Sequence, residues 1–128
     1  MADKDIPSLN RVRVRVRDMH TCVRCFVPTH DGQWHHRRTR SVRDVHRHCT
    51  CVGIYLCVTD HAWVHAHPLE ARRLGLIVSR HERNPWTIPF KRGDGAWVLP
   101  DCRGGSLVTE AVDLEEAIEK FRAERSER

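Results

Sequence analysis

The sequence predicts a small α+β domain that carries bound metal. Three observations predict it: the chain has 128 residues, which suits one domain; short strand patterns occur beside two helical patterns; and the composition includes ten His and six Cys. A content of His and Cys this high indicates metal ligation, catalysis or both. Mixed charge and ordinary apolar content argue against a disordered chain.

The first short stretch with a clear pattern is RVRVRVR at residues 11–17. Its strict alternation predicts a strand, with a short basic helix as the alternative because Arg is a good helix former. Two further short strands are predicted at residues 33–36 and 52–57, on either side of a polar loop rich in Arg and His.

A helix is predicted from Asp60 to Leu74, with Asp60 as its N-cap and Gly75 as its stop. Pro68 should break or kink this helix just before that residue. The remaining predicted elements are strands at residues 76–78, 86–90 and 96–99, turns at 93–95 and 104–105, and a terminal helix at 112–125.

The basic charge is concentrated in the first part of the chain. Lys and Arg number 22 against 17 Asp and Glu, which gives a formal net charge of +5 at pH 7. Residues 1–48 carry 11 basic against 5 acidic side chains, whereas residues 101–128 carry 5 against 8. A basic face around a metal site suits a polyphosphate such as nucleic acid, although a solvated basic surface has the same composition.

Neither a membrane span nor a signal peptide is recognisable. The longest apolar stretch, residues 52–56, is far below the roughly 18 residues that a span needs, and residues 1–10 lack an apolar segment. We therefore expect a protein of the reducing cytoplasm, where paired cysteines bind metal more often than they form disulfides.

The cysteines predict a structural zinc site. Cys22 and Cys25 have the spacing of a zinc knuckle, and Cys57 is the best third ligand because it begins a second stretch with that spacing. Asp60 stands where a second knuckle would place its other cysteine, and a carboxylate can bind zinc.

The fourth zinc ligand is open at this stage. Cys49 and Cys51 compete with Asp60 for the position, since both offer a sulfur ligand. Cys102 lies far along the chain in a Gly-rich stretch, and we interpret it as a bystander.

The histidines form a different group. His35 and His36 are adjacent at a strand end, so their side chains diverge, and one can hold a metal while the other faces a substrate. His61 and His65 are four residues apart on the predicted helix and therefore share a face. His35, His61 and His65 could hold one divalent cation, with His36 beside it as a general base.

In order and spacing, these motifs resemble the HNH endonucleases, specifically the small ones encoded by tailed bacteriophages. The resemblance covers about residues 17–80, and its pieces are Cys22-x2-Cys25, Trp34-His-His-Arg-Arg38, Ser41-Val-Arg-Asp44, Leu56-Cys57, His61-Ala-Trp-Val-His-Ala-His-Pro68 and Glu70-Ala-Arg-Arg-Leu-Gly75-Leu-Ile-Val78. It implies a ββα-metal core, a two-stranded hairpin and a helix around one cation, braced by a cysteine-bound zinc. We expect this core at residues 1–80 and a C-terminal β-hairpin and helix, packed on the same domain, at 81–128.

The resemblance also implies roles for the histidines. His35 and His61 would bind a catalytic cation (Mg, Mn, Ni or Zn), His36 would activate water as general base, and His65 would bind the metal or a phosphate. The phosphate contacts on DNA are assigned to three arginines that follow the base, with a solvated loop as the alternative: Arg37, Arg38 and Arg40.

The sequence departs from the family pattern at two positions. The middle Asn of the motif is absent, and His48 and Asp44 are the candidates to take its place. The fourth cysteine is replaced by Asp60.

The function that the resemblance implies is metal-dependent hydrolysis of phosphodiester bonds in double-stranded DNA, by nicking or cutting. By analogy it also implies a role beside phage terminase or portal in genome packaging, in the cytoplasm of an infected bacterial host. The alternative is a catalytically impaired, zinc-stabilised DNA-binding or terminase-accessory module, because the motif Asn and one cysteine are missing.

Overall fold

The chain is α+β, as predicted, and its described residues form two separate antiparallel sheets. The computed structural model describes residues 5–126. The elements are helices α1 (Ser8–Arg17), α2 (Val58–Ala66), α3 (Pro68–Arg73) and α4 (Leu114–Ser126), and strands β1 (Gln33–His36), β2 (Gly53–Leu56), β3 (Phe90–Lys91), β4 (Trp97–Pro100) and β5 (Ser106–Thr109). A two-stranded sheet pairs β1 with β2, and a three-stranded sheet has the order β3-β4-β5.

The hairpin of β1 and β2 places the two adjacent histidines. Its register sets His35 opposite Ile54 and His36 opposite Gly53. The Trp34 indole lies over Gly53, where an added Cβ would overlap the ring, so this position requires glycine. Every residue of β2 is buried, which makes the hairpin a fixed platform for the histidines.

Helices α2 and α3 are one predicted helix divided in two. The break falls at His67, directly before Pro68, as expected, because proline has no N–H for the helical ladder. Gly75 follows α3 with a φ of +71°, a conformation that suits glycine. The predicted N-cap is wrong: Cys57 caps α2, its sulfur accepting the N–H of Asp60, which therefore lies in the first turn.

The predicted strand at residues 11–17 is wrong, and the helical alternative is right. In α1 only Val14 is buried, whereas Val12 and Val16 are 50% and 60% exposed, so the alternation does not mark a buried face. Helical hydrogen bonds satisfy the backbone of α1. The guanidinium of Arg17 then donates to the main-chain carbonyls of Thr50, in the loop before β2, and of Gly53, the first residue of β2, and so ties the helix end to the hairpin.

The C-terminal part is larger than the predicted β-hairpin and helix. Strand β5 completes a three-stranded sheet, and α4 packs on it through Ala117 and Phe121, which lie with Trp97 and Leu99 in one buried cluster. The start of α4 is close to the predicted one.

Among the described residues, one predicted strand is absent and a second is reduced to its last residue. Residues 76–78 form no ladder, because the carbonyl of Leu76 accepts a hydrogen bond from the His35 side chain and the N–H of Val78 donates to the main-chain carbonyl of Arg37. Residues 86–90 begin in a 3-10 turn, Pro85–Thr87, and only Phe90 enters a strand. Prolines in this stretch remove the N–H donors that a ladder needs.

The largest buried cluster connects the hairpin, the helices and the second sheet. Ile54 and Leu56 of β2 pack there with Val64 of α2, and Phe90 and Val98 join them from the C-terminal part. The boundary at residue 80 stays a prediction. No helix among residues 5–126 has the length and apolar character that crossing a membrane requires.

Candidate metal centres and histidine cleft

A cleft of about 630 Å³ opens between β1, α2 and the segment after α3. Four histidines from two elements line it, together with three exposed arginines. These residues are His35, His36, His61, His65, Arg40, Arg72 and Arg80.

Three of the cleft histidines converge as predicted. His35, His61 and His65 each offer a ring nitrogen, and these nitrogens lie within 4.8 Å of one another. His35 comes from β1 and is 3% exposed, whereas the other two lie one helical turn apart on α2. Their spacing suits one shared cation, and three imidazoles form a donor set that zinc and other transition metals accept.

Hydrogen bonds orient two of these imidazoles for metal binding. Nε2–H of His35 donates to the carbonyl of Leu76 at 2.8 Å, so the lone pair lies on Nδ1. Nδ1–H of His61 donates to Oε1 of Gln33 at 2.7 Å, which leaves the lone pair on Nε2. Burial, with the nearby His61 and His65, lowers the pKa of His35 to about 3, so its ring stays in the neutral, ligating form.

His36 lies beside the convergent histidines but outside their cluster. Its Nε2 is 3.0 Å from Nδ1 of His48, a residue of the loop between the two strands. If Nε2–H of His36 donates, the lone pair of His36 is on Nδ1 and the ring is poised as a base. Burial, reinforced by the Arg47 charge, lowers the pKa of His48, which favours its neutral form as acceptor.

Two of the three predicted DNA-binding arginines lie inside the protein. Arg37 is 1% exposed, and its guanidinium donates to main-chain carbonyls of three separate segments. Arg38 is 2% exposed and pairs with Asp44 at 2.6 Å. We therefore correct the assignment of Arg37 and Arg38: both are structural, because both guanidinium groups are buried and already hydrogen-bonded, Arg37 to carbonyls and Arg38 to Asp44. Arg40 is exposed and stays a candidate phosphate ligand.

The predicted zinc ligands also converge. One ligand atom from each of Cys22, Cys25, Cys57 and Asp60 lies within 4.8 Å of the others. Oδ2 of Asp60 is 3.1 Å from the Cys22 sulfur and 3.4 Å from the Cys57 sulfur. Between the candidates for the fourth position, the structure brings Asp60 to this cluster and places Cys49 and Cys51 elsewhere.

Asp60 is held in its ionised form. Oδ1 accepts from the Arg24 guanidinium at 2.7 Å, while Oδ2 faces the sulfurs. Burial opposes ionisation, but hydrogen bonds from Cys22 and Cys25 and the Arg24 contact outweigh it and lower the pKa of Asp60. The guanidinium also lies 3.5 Å from the centre of the Trp63 ring, which fixes the pair.

A third cluster was not predicted from the sequence. His46, Cys49, Cys51 and Cys102 each bring one ligand atom within 4.8 Å of the others, so Cys102, interpreted from the sequence as a bystander, lies in a group that could hold a metal ion. The neighbouring Cys51 thiol lowers the pKa of Cys49. The spacing His46-x2-Cys49-x-Cys51 was a usable local signal, but no sequence pattern links it to Cys102.

In comparisons with family models, with curated proteins and with solved structures, nothing matches this chain. The fold and the sites therefore define its class at a coarse level. It is a small α+β protein in which residues 5–126 contain three groups of Cys, His and Asp side chains that could each hold a metal ion such as zinc.

Proposed function

We propose that this chain is a metal-dependent endonuclease of the HNH type that hydrolyses DNA phosphodiester bonds. The observation that carries the proposal is the histidine cleft. His35 and His36 leave β1 side by side, His35 meets two histidines of α2, and His36 stays beside that cluster. Metal-assisted hydrolysis requires some residues to bind the cation and a different residue to act as general base, and this arrangement provides both.

In the proposed reaction, His36 takes a proton from a water molecule that attacks the phosphorus. The bond from phosphorus to the 3′ oxygen breaks, the leaving oxygen takes a proton from solvent water, and His36 returns its proton to solvent. A divalent cation held by His35, His61 and His65 would supply Lewis acidity toward the scissile phosphate. His48 orients His36 through the contact of 3.0 Å and takes the place of the absent motif Asn as a positioning residue.

Exposed arginines around the cleft supply the expected phosphate contacts. Arg40, Arg72 and Arg80 line the cleft and are exposed, unlike Arg37 and Arg38. They surround the cleft from the loop after β1, from α3 and from the segment after it. Contacts of this kind fix register on a duplex and read no base sequence, so we expect cleavage with little sequence preference.

The proposal is tested by nicking of supercoiled plasmid with Mg²⁺, Mn²⁺, Ni²⁺ or Zn²⁺ and with a chelator. We expect the parent to nick the plasmid and the chelator to abolish this nicking. The His36→Ala variant should not nick. A parent that binds plasmid but never nicks it with any cation would instead indicate the DNA-binding or terminase-accessory module. The proposed role beside terminase or portal rests on the phage resemblance alone.

Replacing the three cleft arginines by alanine should weaken DNA binding and its dependence on salt. Each lost phosphate contact lowers the slope of log affinity against log salt by about 0.9, so the triple variant should lose about two to three units. The measurement is fluorescence anisotropy with a duplex at several salt concentrations. The matched control replaces three exposed arginines outside the cleft, Arg83, Arg103 and Arg122, and an equal loss of slope in both triples would contradict the assignment.

His48→Ala should reduce nicking without unfolding the chain. Loss of a side chain that orients a catalytic group typically costs about 10–100-fold in activity. His48→Asn should recover much of the rate, because its carboxamide oxygen can accept the hydrogen bond of His36. The checks are kcat and KM for both variants beside their melting temperatures. A purely structural role predicts instead that rate and melting temperature fall together in both variants.

A further inference from the structure

We propose that His46, Cys49, Cys51 and Cys102 form a second structural zinc site, distinct from the site of Cys22, Cys25, Cys57 and Asp60. It would join the loop between β1 and β2 to the turn between β4 and β5. The chain has six cysteines, and the two clusters take three each.

The ligand atoms are spaced for a tetrahedral ion. Nδ1 of His46 lies 3.9 Å from the Cys51 sulfur and 3.8 Å from the Cys102 sulfur. Tetrahedral zinc bonds to one nitrogen and one sulfur place those atoms about 3.6 Å apart, so small side-chain movements complete the site. The His46 ring is held against Trp86, with ring centres 4.6 Å apart.

Contacts that need no metal already hold the distant ligand in place. The hydroxyl of Thr50, a residue that is 1% exposed, donates to the carbonyl of Asp101 at 2.7 Å. The same hydroxyl accepts the N–H of Gly104 at 3.2 Å. These two bonds fix the turn that carries Cys102 against Cys49 and Cys51, so the fold builds the site before any ion binds.

The donor set selects the class of ion. Three sulfurs and one imidazole are soft ligands that favour zinc and disfavour Mg²⁺, which takes oxygen ligands. The alternative chemistry for crowded cysteines is a disulfide, which would leave the nearby imidazole unused. A closed site of four protein ligands has no open position, so the ion would be structural.

The site has a consequence for the histidine cleft, and this consequence rests on the proposed function. His48 lies between two ligands of the site, His46 and Cys49, and its ring contacts His36. An ion bound there would fix the segment that presents His48. Losing the ion should therefore slow nicking while leaving the residues that bind the cleft cation in place.

The experiment measures thiolate-bound metal and uses the full chain. Zinc is exchanged for Co²⁺, whose charge-transfer absorption reports cysteine ligands, and for ¹¹³Cd²⁺, whose NMR signals are counted. We expect two thiolate-type cadmium signals in the parent. The Cys49→Ser/Cys102→Ser variant should lose one signal and about half of the cobalt charge-transfer intensity. Two of the three cysteines of this cluster are replaced, so the site is lost and only the three cysteines of the other cluster remain as ligands.

Two single variants complete the experiment: Cys102→Ser, and Arg103→Ser as a control in the same turn. Both residues are exposed, so both variants should fold like the parent. Cys102→Ser should release zinc to a chelator faster than the parent, whereas Arg103→Ser should not. A single cadmium signal in the parent, equal cobalt spectra in parent and double variant, or a disulfide found by intact mass in the isolated chain would overturn the proposal. The number of bound metal ions is measured without any nicking assay. Failure of the second zinc site can therefore be distinguished from failure of the nuclease proposal.

Discussion

His36→Ala should cut the rate of plasmid nicking by about 10²–10⁴-fold, the usual cost of losing a general base. His36 is outside the cluster of three convergent histidines, so the Mn²⁺ concentration for the half-maximal rate should stay at the parent value. His61→Ala removes a proposed ligand, so it should raise that concentration, and excess Mn²⁺ should restore part of the rate.

The discriminating measurement is the nicking rate against Mn²⁺ concentration for both variants and for His81→Ala. His81 is exposed and does not line the cleft, so its variant controls for the loss of an imidazole. If excess Mn²⁺ rescues His36→Ala and fails to rescue His61→Ala, the roles of base and ligand are reversed. Both variants should melt like the parent once the cysteine sites hold zinc, because the clusters share no residue.

Cys25→Ser should abolish stable folding, and it is the sharpest test of the first zinc site. Cys25 is exposed, so exchanging its sulfur for oxygen would by itself change stability by about 0.5 kcal/mol or less. If Cys25 is a zinc ligand, its loss should destabilise the fold far more, because structural zinc contributes about 10–16 kcal/mol to the folding of small modules. A domain has a total stability of only about 5–15 kcal/mol.

Thermal unfolding and zinc content provide the measurement. Val27→Ser is the matched control, since this residue is exposed, lies two positions further on and also gains a hydroxyl. Cys22→Ser should behave like Cys25→Ser, with an added cost from its buried position. A Cys25→Ser protein that keeps its zinc and melts like the parent would show that the cysteine assignment is wrong.

The sequence predicted those site residues whose partners lie a few positions away in the chain. His61 and His65 share a helix face, and Cys22 and Cys25 share a turn, so short spacings reveal them. The convergence of His35 with α2 follows once the hairpin and helix are placed, and both elements had clear patterns. These are also the parts in which the structure brings the expected side chains together.

The misses at the candidate sites depend on contacts between distant parts of the chain. Cys102 meets His46 across 56 residues, a relation that no local pattern contains. The burial of Arg37 depends on carbonyls from three segments that could not be located beforehand. The alternating valines of α1 fit the pattern of a strand, but in the structure only Val14 is buried. The segment is a helix, which forms its backbone hydrogen bonds within itself.

The two cysteine clusters bridge overlapping stretches of the chain. Cys22 and Asp60 are separated by 38 residues, and His46 and Cys102 by 56, and the second stretch begins inside the first. Closing such loops is slow in a chain that must first bring distant residues together. An ion bound early by a wrong set of three cysteines would trap a misfolded chain. Refolding should therefore be fastest and most complete when zinc is added after collapse and under thiol-reducing conditions, and slower when zinc is present from the start.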